Sequence, residues 1–155
     1  MDAPDRTLRG FVGYDMKRAF AAIQSDVNAT LAPFGLRMVT FSVLVIIRDN
    51  PGLKQTQLAE ILMIERPNLV VILDELEKAG FVTRRRAPDD RRAYELTVTI
   101  KGRRQCDRAV EAVAQHDARM VEGMDEAALD ALHAGLRRIE ANGRSSDDRR
   151  KVSRS

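Results

Sequence analysis

Over residues 55–99 the spacing of apolar residues changes its period once, and that change leaves few folds open. Leu69, Ile72, Leu73 and Leu76 recur at i, i+3, i+4 and i+7, the stripe of a helix with one buried side. Ala79-Gly80 then stops the helix, with glycine as its C-terminal cap. Beyond it, Phe81-Val82-Thr83-Arg84-Arg85 and Ala93-Tyr94-Glu95-Leu96-Thr97-Val98 read as strands joined through the turn Ala87-Pro88-Asp89-Asp90. A shorter helix at about 55–62 follows the turn Asn50-Pro51-Gly52. Helix, helix, hairpin in that order predicts a helix-turn-helix with a β wing.

Longer helices are expected on both sides. Leu8, Phe11, Val12, Met16, Ala19, Phe20, Ile23, Val27 and Leu31 keep three-four spacing, with Asp5 as the expected N-cap and Pro33 and Gly35 as the stop. Residues 40–49 are dense in Phe41, Val43, Leu44, Val45, Ile46 and Ile47; the β-branched content suits a strand, while length and flanking turns favour a buried helix. Thr99 is placed to cap a helix over about 100–121, and a last helix from about 125 carries Leu129, Leu132, Leu136 and Ile139. Residues 143–155 hold a single apolar residue, Val152, which predicts a disordered basic tail. The predicted fold is mainly α with a small β-hairpin wing: a winged helix-turn-helix at 36–99 flanked by long dimerisation helices at 1–34 and 100–142. Dimerisation is expected because a chain of 155 residues has little else to cover so many amphipathic helices.

Charge narrows the function. Between Lys78 and Arg104, nine basic residues face only Asp89, Asp90 and Glu95, although the whole chain carries a formal charge of only +3. Positive charge gathered in one segment is either a polyanion-binding surface or a solvated charged hairpin. The single cysteine, Cys106, excludes an internal disulfide. With no signal-like N-terminus and no apolar run of membrane-spanning length, the expected location is the cytoplasm, away from any membrane. There is no glycine-rich phosphate loop, paired-cysteine motif or nucleophile with a neighbouring histidine, so no enzyme, cofactor or metal is expected. His116 and His133 lie in different helices, and Cys106 is expected to be structural.

The second short helix has an outward face chemically suited to bases. Opposite its apolar stripe lie Pro67, Val71, Asp74 and Lys78, flanked by Arg66, Asn68 and Val70. Arg66 can donate bidentately to guanine and Asn68 can pair with adenine, while Val71 can pack on a thymine methyl. In the wing, Arg84, Arg85 and Arg86 lie on the entering strand and Arg91 and Arg92 at the tip, suited to a narrow minor groove. Asp90, two residues before Arg92, is expected to hold that guanidinium in place.

Three stretches carry a family resemblance. Asn50-Pro51-Gly52-Leu53-Lys54-Gln55-Thr56-Gln57-Leu58-Ala59 resembles the entry to the first DNA-binding helix of the MarR family. Leu73-Asp74-Glu75-Leu76-Glu77-Lys78-Ala79-Gly80-Phe81-Val82 resembles its recognition helix running into the wing. Asp89-Asp90-Arg91-Arg92-Ala93, then Val98-Thr99-Ile100-Lys101-Gly102, is similar to its wing signature.

The resemblance implies a dimeric transcription regulator, with phosphate binding at Gln55, Thr56 and Gln57 and base reading at Arg66, Pro67, Asn68, Val70 and Val71. It puts the wing arginine role on Arg92, with Arg91 beside it and Asp90 in support. The recognition positions depart from the Ser, Thr and Arg common in the family, so the operator sequence does not carry over. The resemblance further implies a repressor released from a pseudo-palindromic operator on double-stranded DNA by a small molecule, an aromatic acid or its acyl-CoA thioester. Tyr14, Arg18, Phe34, Arg37, Met38 and Phe41 are the candidate ligand contacts. The competing expectation is a winged helix used for protein contacts or for nonspecific architectural DNA binding.

Overall fold

In a computed structural model the described residues are 4–152, with side chains described as far as Ser145. The chain divides into two units, Met1–Asp117 and Ala118–Ser155.

Helix α1 (Val12–Leu31) follows a 3-10 turn at Leu8–Gly10, so Asp5 is not its N-cap. Phe11 is extended at φ −111°, ψ 123° and breaks the helical path ahead of Val12. The Asp5 carboxylate is instead taken by side chains: Tyr14 Oη donates to it at 2.8 Å and Arg9 Nε lies 3.1 Å away. A second 3-10 turn, Ala32–Phe34, and left-handed Gly35 (φ 67°) lead into α2 (Met38–Asp49). The β-branched run at 40–49 is thus helical. Its N-terminal amides are satisfied from two directions: Arg37 N donates to Thr40 Oγ1 at 2.9 Å and Met38 N to Asn28 Oδ1 at 2.8 Å.

Val43, Leu44 and Ile47 of α2 are fully buried at the centre of the core. Around them pack Leu58 of α3 (Gln55–Leu62), Leu69 and Leu73 of α4 (Arg66–Lys78), and Leu96. Each such side chain contributes about 2 kcal/mol through burial. Helix α4 ends in a reciprocal pair of bonds, Phe81 N to Leu76 O at 2.9 Å and Gly80 N to Glu77 O at 2.9 Å, which require left-handed Gly80 (φ 75°).

The wing strands β2 (Val82–Arg86) and β3 (Tyr94–Val98) pair antiparallel with Arg84 opposite Leu96. A third strand, β1 (Leu53–Lys54), completes a sheet of order β1-β3-β2, with Leu53 opposite Leu96. Two residues are too few to show an alternating pattern, so this strand has no periodic signature in the sequence.

Thr99 caps α5 (Ile100–Met120), accepting from Gly102 N at 2.9 Å while its hydroxyl donates to Gly80 O at 2.6 Å. Asp125 caps α6 (Glu126–Val152) in the same way, accepting from Ala128 N at 2.8 Å. Helix α6 continues to Val152 where an irregular tail from Gly143 was expected. Local pairs support the extension: Ser145 Oγ donates to Ala141 O at 3.1 Å, and Arg144 bonds Glu140 one turn back. Residues 153–155 of the expected tail lie outside the described residues. Among the described residues, no single helix is long and apolar enough to cross a membrane.

Candidate nucleic-acid interface

Helix α4 is pinned from one side. Leu69, Ile72, Leu73 and Leu76 are buried, and the rotation they impose leaves Arg66, Pro67, Asn68, Val70 and Val71 facing out. Val71 stays 64% exposed beside Val70, so the outward face of α4 carries apolar as well as polar contact surface. Arg66 and Pro67 occupy the first turn, where proline's missing N–H costs nothing.

The hairpin tip is built by backbone hydrogen bonds. Ala93 N donates to Asp90 O and Ala87 N to Ala93 O, each at 2.9 Å. Asp90 Oδ1 accepts from the backbone N–H of Arg92 at 2.9 Å, not from its guanidinium. Asp90 therefore shapes the turn that presents Arg92, because a carboxylate two residues back closes a local side-chain-to-backbone ring more readily than it reaches a flexible side chain. Lys54 Nζ donates to Asp89 Oδ2 at 3.1 Å, tying the tip to β1. That hydrogen bond holds the Asp89 carboxyl below its ordinary pKa.

The entering-strand arginines differ in role. Arg84 turns toward α4, where Nε donates to Glu77 Oε2 at 3.0 Å and Nη2 bonds both Asp74 and Glu77. Burial opposes its charge, but the bonds from Glu77 and Asp74 outweigh it and raise the guanidinium pKa. Arg84 is thus a clamp between β2 and α4 rather than an outward contact. Arg86 lies over the Tyr94 ring at 5.1 Å and donates to the Arg91 carbonyl. Gln57 is also engaged locally, its Oε1 accepting from Lys54 N at 3.0 Å as part of a capping box.

Gln55, Thr56, Arg66 and Arg92 nevertheless converge. With Leu69, Ala93 and Tyr94 they line a cleft of about 240 Å³ where the first turns of α3 and α4 meet the returning wing strand. Gln55 Oε1 is buried there without a hydrogen-bond partner. The sequence reading missed Lys54 and Tyr94; Tyr94 sits at an outward position of an alternating strand, a signal it shares with any surface tyrosine.

A second, larger cleft of about 440 Å³ lies between α1, α2 and the α3–α4 turn. Phe20, Gln24 and Asn28 line it from one side, Met38, Val39 and Ser42 from another, with Arg37, Leu62 and Ile64 at its edges. Of the candidate ligand contacts, only Arg37 and Met38 are here. Tyr14 is bonded to Asp5 and stacked by Arg18 at 5.8 Å. Phe34 lies under Arg108 at 5.5 Å, and Phe41 packs on the core. Helical spacing reports a face, not which neighbouring helix shares it, so nothing in the sequence marked Phe20, Gln24 and Asn28 as cleft residues.

Cys106 and His116 are built into the core. Cys106 is fully buried, and that burial pushes its thiol pKa up, the opposite of an activated thiolate. His116, 2% exposed, joins α5 to α1 through Nδ1, 2.6 Å from Asp26 Oδ2.

Three comparisons bear on this geometry. The MarR family model matches residues 36–94, which span α2 to the start of the returning wing strand. An HTH-type transcriptional repressor of Mycobacterium tuberculosis is 32% identical over 110 residues, covering 71% of this chain and 79% of that protein. The transcriptional repressor CouR bound to a 23-mer DNA duplex superimposes with a TM-score of 0.85 at 38% identity, over 90% of this chain and 99% of that one. CouR bound to p-coumaroyl-CoA superimposes with a TM-score of 0.80 at 36% identity, over 90% and 97% respectively.

Proposed function

This chain belongs to the MarR family of transcriptional regulators, and on that premise we propose that it is a ligand-responsive repressor acting as a homodimer on a pseudo-palindromic operator. The observation that carries the reading is the convergence of Thr56, Arg66 and Arg92, three sequence-distant polar groups, on one cleft beside the exposed start of α4. Arg66, Pro67, Asn68, Val70 and Val71 read base edges in the major groove, with Gln55 and Thr56 on the phosphates and Arg91 and Arg92 in the flanking minor groove. Arg86, held against Tyr94, stiffens the wing, and Asp90 sets its turn.

Homodimerisation is supported by apolar surface that the single chain leaves open. Phe11, Val12, Met16, Phe20 and Ile23 are exposed in the N-terminal segment, as are Leu132, Leu136 and Ile139 in α6. In this reading 1–34 and 100–142 form the dimerisation region and 36–99 the DNA-binding module. A two-fold dimer sets its recognition helices about 34 Å apart, one turn of DNA.

The effector is a small aromatic acid or its acyl-CoA thioester, bound in the cleft of about 440 Å³. The size suits a single aromatic ring with a short chain, and CouR, similar over 90% of this chain, is solved with p-coumaroyl-CoA.

The experiment is a genomic pull-down with purified protein and sequencing of the enriched fragments. A shared pseudo-palindrome, lost with Arg92→Ala, supports a specific regulator. Enrichment without a common site points to an architectural binder, and no enrichment by protein freed of small molecules removes the DNA-binding reading.

A further inference from the structure

We propose that Arg37 is both the anion receptor of the larger cleft and a latch on the recognition helix, so that an anionic group bound there draws Arg37 away from Glu75. The proposal rests on the effector reading above and adds the route by which the cleft reaches DNA.

Arg37 is held at its backbone while its side chain is half exposed. Its N–H donates to Thr40 Oγ1 at 2.9 Å, and the next residue, Met38, is held by Asn28 Oδ1 at 2.8 Å. The side chain lines the cleft, and its Nη2 donates to Glu75 Oε2 at 2.8 Å, joining the start of α2 to the last turn of α4. Both partners are about half exposed, at 48% and 47%, so the pair is reachable and weak enough to exchange.

Two features give this pair a signalling role. Among the described lining residues, Arg37 is the one charged side chain; Gln24, Asn28 and Ser42 are polar but neutral. A planar guanidinium matches a carboxylate or phosphate with two parallel bonds, more than it makes with Glu75. Moreover, the acids of α4 are held by arginines from two sides, Asp74 and Glu77 by Arg84 of the wing and Glu75 by Arg37. Only the Arg37 connection touches the cleft. Its withdrawal removes a lateral anchor that links the start of α2 to the helix that faces DNA. Linkage makes the effect reciprocal: bound operator weakens anion binding by the factor that bound anion weakens operator binding, and removing Glu75, which competes for Arg37, tightens the anion.

The test uses an operator fragment from the pull-down and three probes: p-coumarate, which has a carboxylate; p-coumaroyl-CoA, which has phosphates; and p-coumaroyl-pantetheine, which has neither. Wild-type protein is expected to release the operator with a charged probe and not with the pantetheine thioester. Release by p-coumarate assigns the anion to a carboxylate, and release by the CoA thioester alone assigns it to phosphate. Glu75→Gln, checked for folding by circular dichroism, is expected to bind the operator about two- to fivefold more weakly without any probe. It should bind the charged probe more tightly by a similar factor in calorimetry, with a smaller further response. Arg37→Gln should lose the response to the charged probe. Equal release by the neutral thioester, or Glu75→Gln with wild-type operator affinity and response, overturns the latch while the effector reading stands. A wild-type operator complex that no probe disturbs overturns the aromatic-effector reading and the latch with it.

Discussion

Gly102 and Phe81 approach so closely that a Cβ on residue 102 would lie 2.0 Å from the Phe81 carbonyl oxygen. The same oxygen accepts from Thr99 N at 3.0 Å, so it cannot swing away without uncapping the entry to α5. Gly102→Ala should therefore force the end of the recognition helix from α5 and cost about 3 kcal/mol, although alanine is the better helix former. Urea unfolding measures the loss. Gly143→Ala, with nothing within 4 Å of its would-be Cβ, is the matched control and should not destabilise. An unchanged midpoint for Gly102→Ala would mean that this junction yields easily.

Arg84 and Arg92 share residue type and wing but should behave oppositely on DNA. Arg92 lines the cleft at the start of α4, whereas Arg84 is spent on Asp74 and Glu77. Arg92→Ala is expected to weaken operator binding by about 1–3 kcal/mol and to reduce the slope of log K against log salt by about one. Arg84→Ala should weaken binding by disordering the wing against α4 while leaving the slope unchanged, because no phosphate contact is lost. Titrations at several salt concentrations separate the two, and a reduced slope for Arg84→Ala would make it a phosphate ligand after all.

These two arginines also mark how far the sequence could be read. Local signals placed α3, α4, the wing and the cap at Thr99, because periodicity, glycine stops and N-cap residues act within a few neighbours. Nothing local distinguished Arg84 from Arg92. Their difference lies in which residues the fold folds back on them: Asp74 and Glu77 lie ten and seven positions from Arg84 and meet it only after the turn at Gly80. The same holds for β1, recognisable only by its pairing with β3, and for Arg37, whose partner Glu75 is thirty-eight residues away. Asp5 shows the reverse failure, a good N-cap by type whose carboxylate was claimed by Tyr14 and Arg9.

The link between Lys54 and Asp89 should make the wing tip sensitive to acid. The bond from Lys54 lowers the folded pKa of Asp89, so its contribution is present above the ordinary carboxylate value and lost as pH falls through the lowered one. Asp89→Asn should loosen the Arg91 and Arg92 amides at neutral pH, read as lower backbone order parameters by NMR. Wild type and variant should converge once the pH drops below the carboxylate range. Identical order parameters at neutral pH would show that Asp90 and the backbone bonds hold the tip unaided.

Helix α6 offers the most direct test of assembly. None of its described residues is buried, yet Leu132, Leu136 and Ile139 repeat along it at 41%, 39% and 42% exposure. A lone helix with an apolar stripe gains little from tertiary packing, and stripes of this kind mark association surfaces. In the dimer reading each leucine is half of a contact that a second copy completes. Leu136→Glu would place a charge in that contact twice over, once per subunit, where each unpaired charge costs several kcal/mol to desolvate. Sedimentation should then report a monomer, with the winged module still folded by its NMR spectrum and operator affinity falling steeply as two half-sites cease to act together. A Leu136→Glu protein that remains a dimer would move the interface off this stripe, and one that is monomeric but binds the operator as tightly as wild type would remove the need for two-fold recognition.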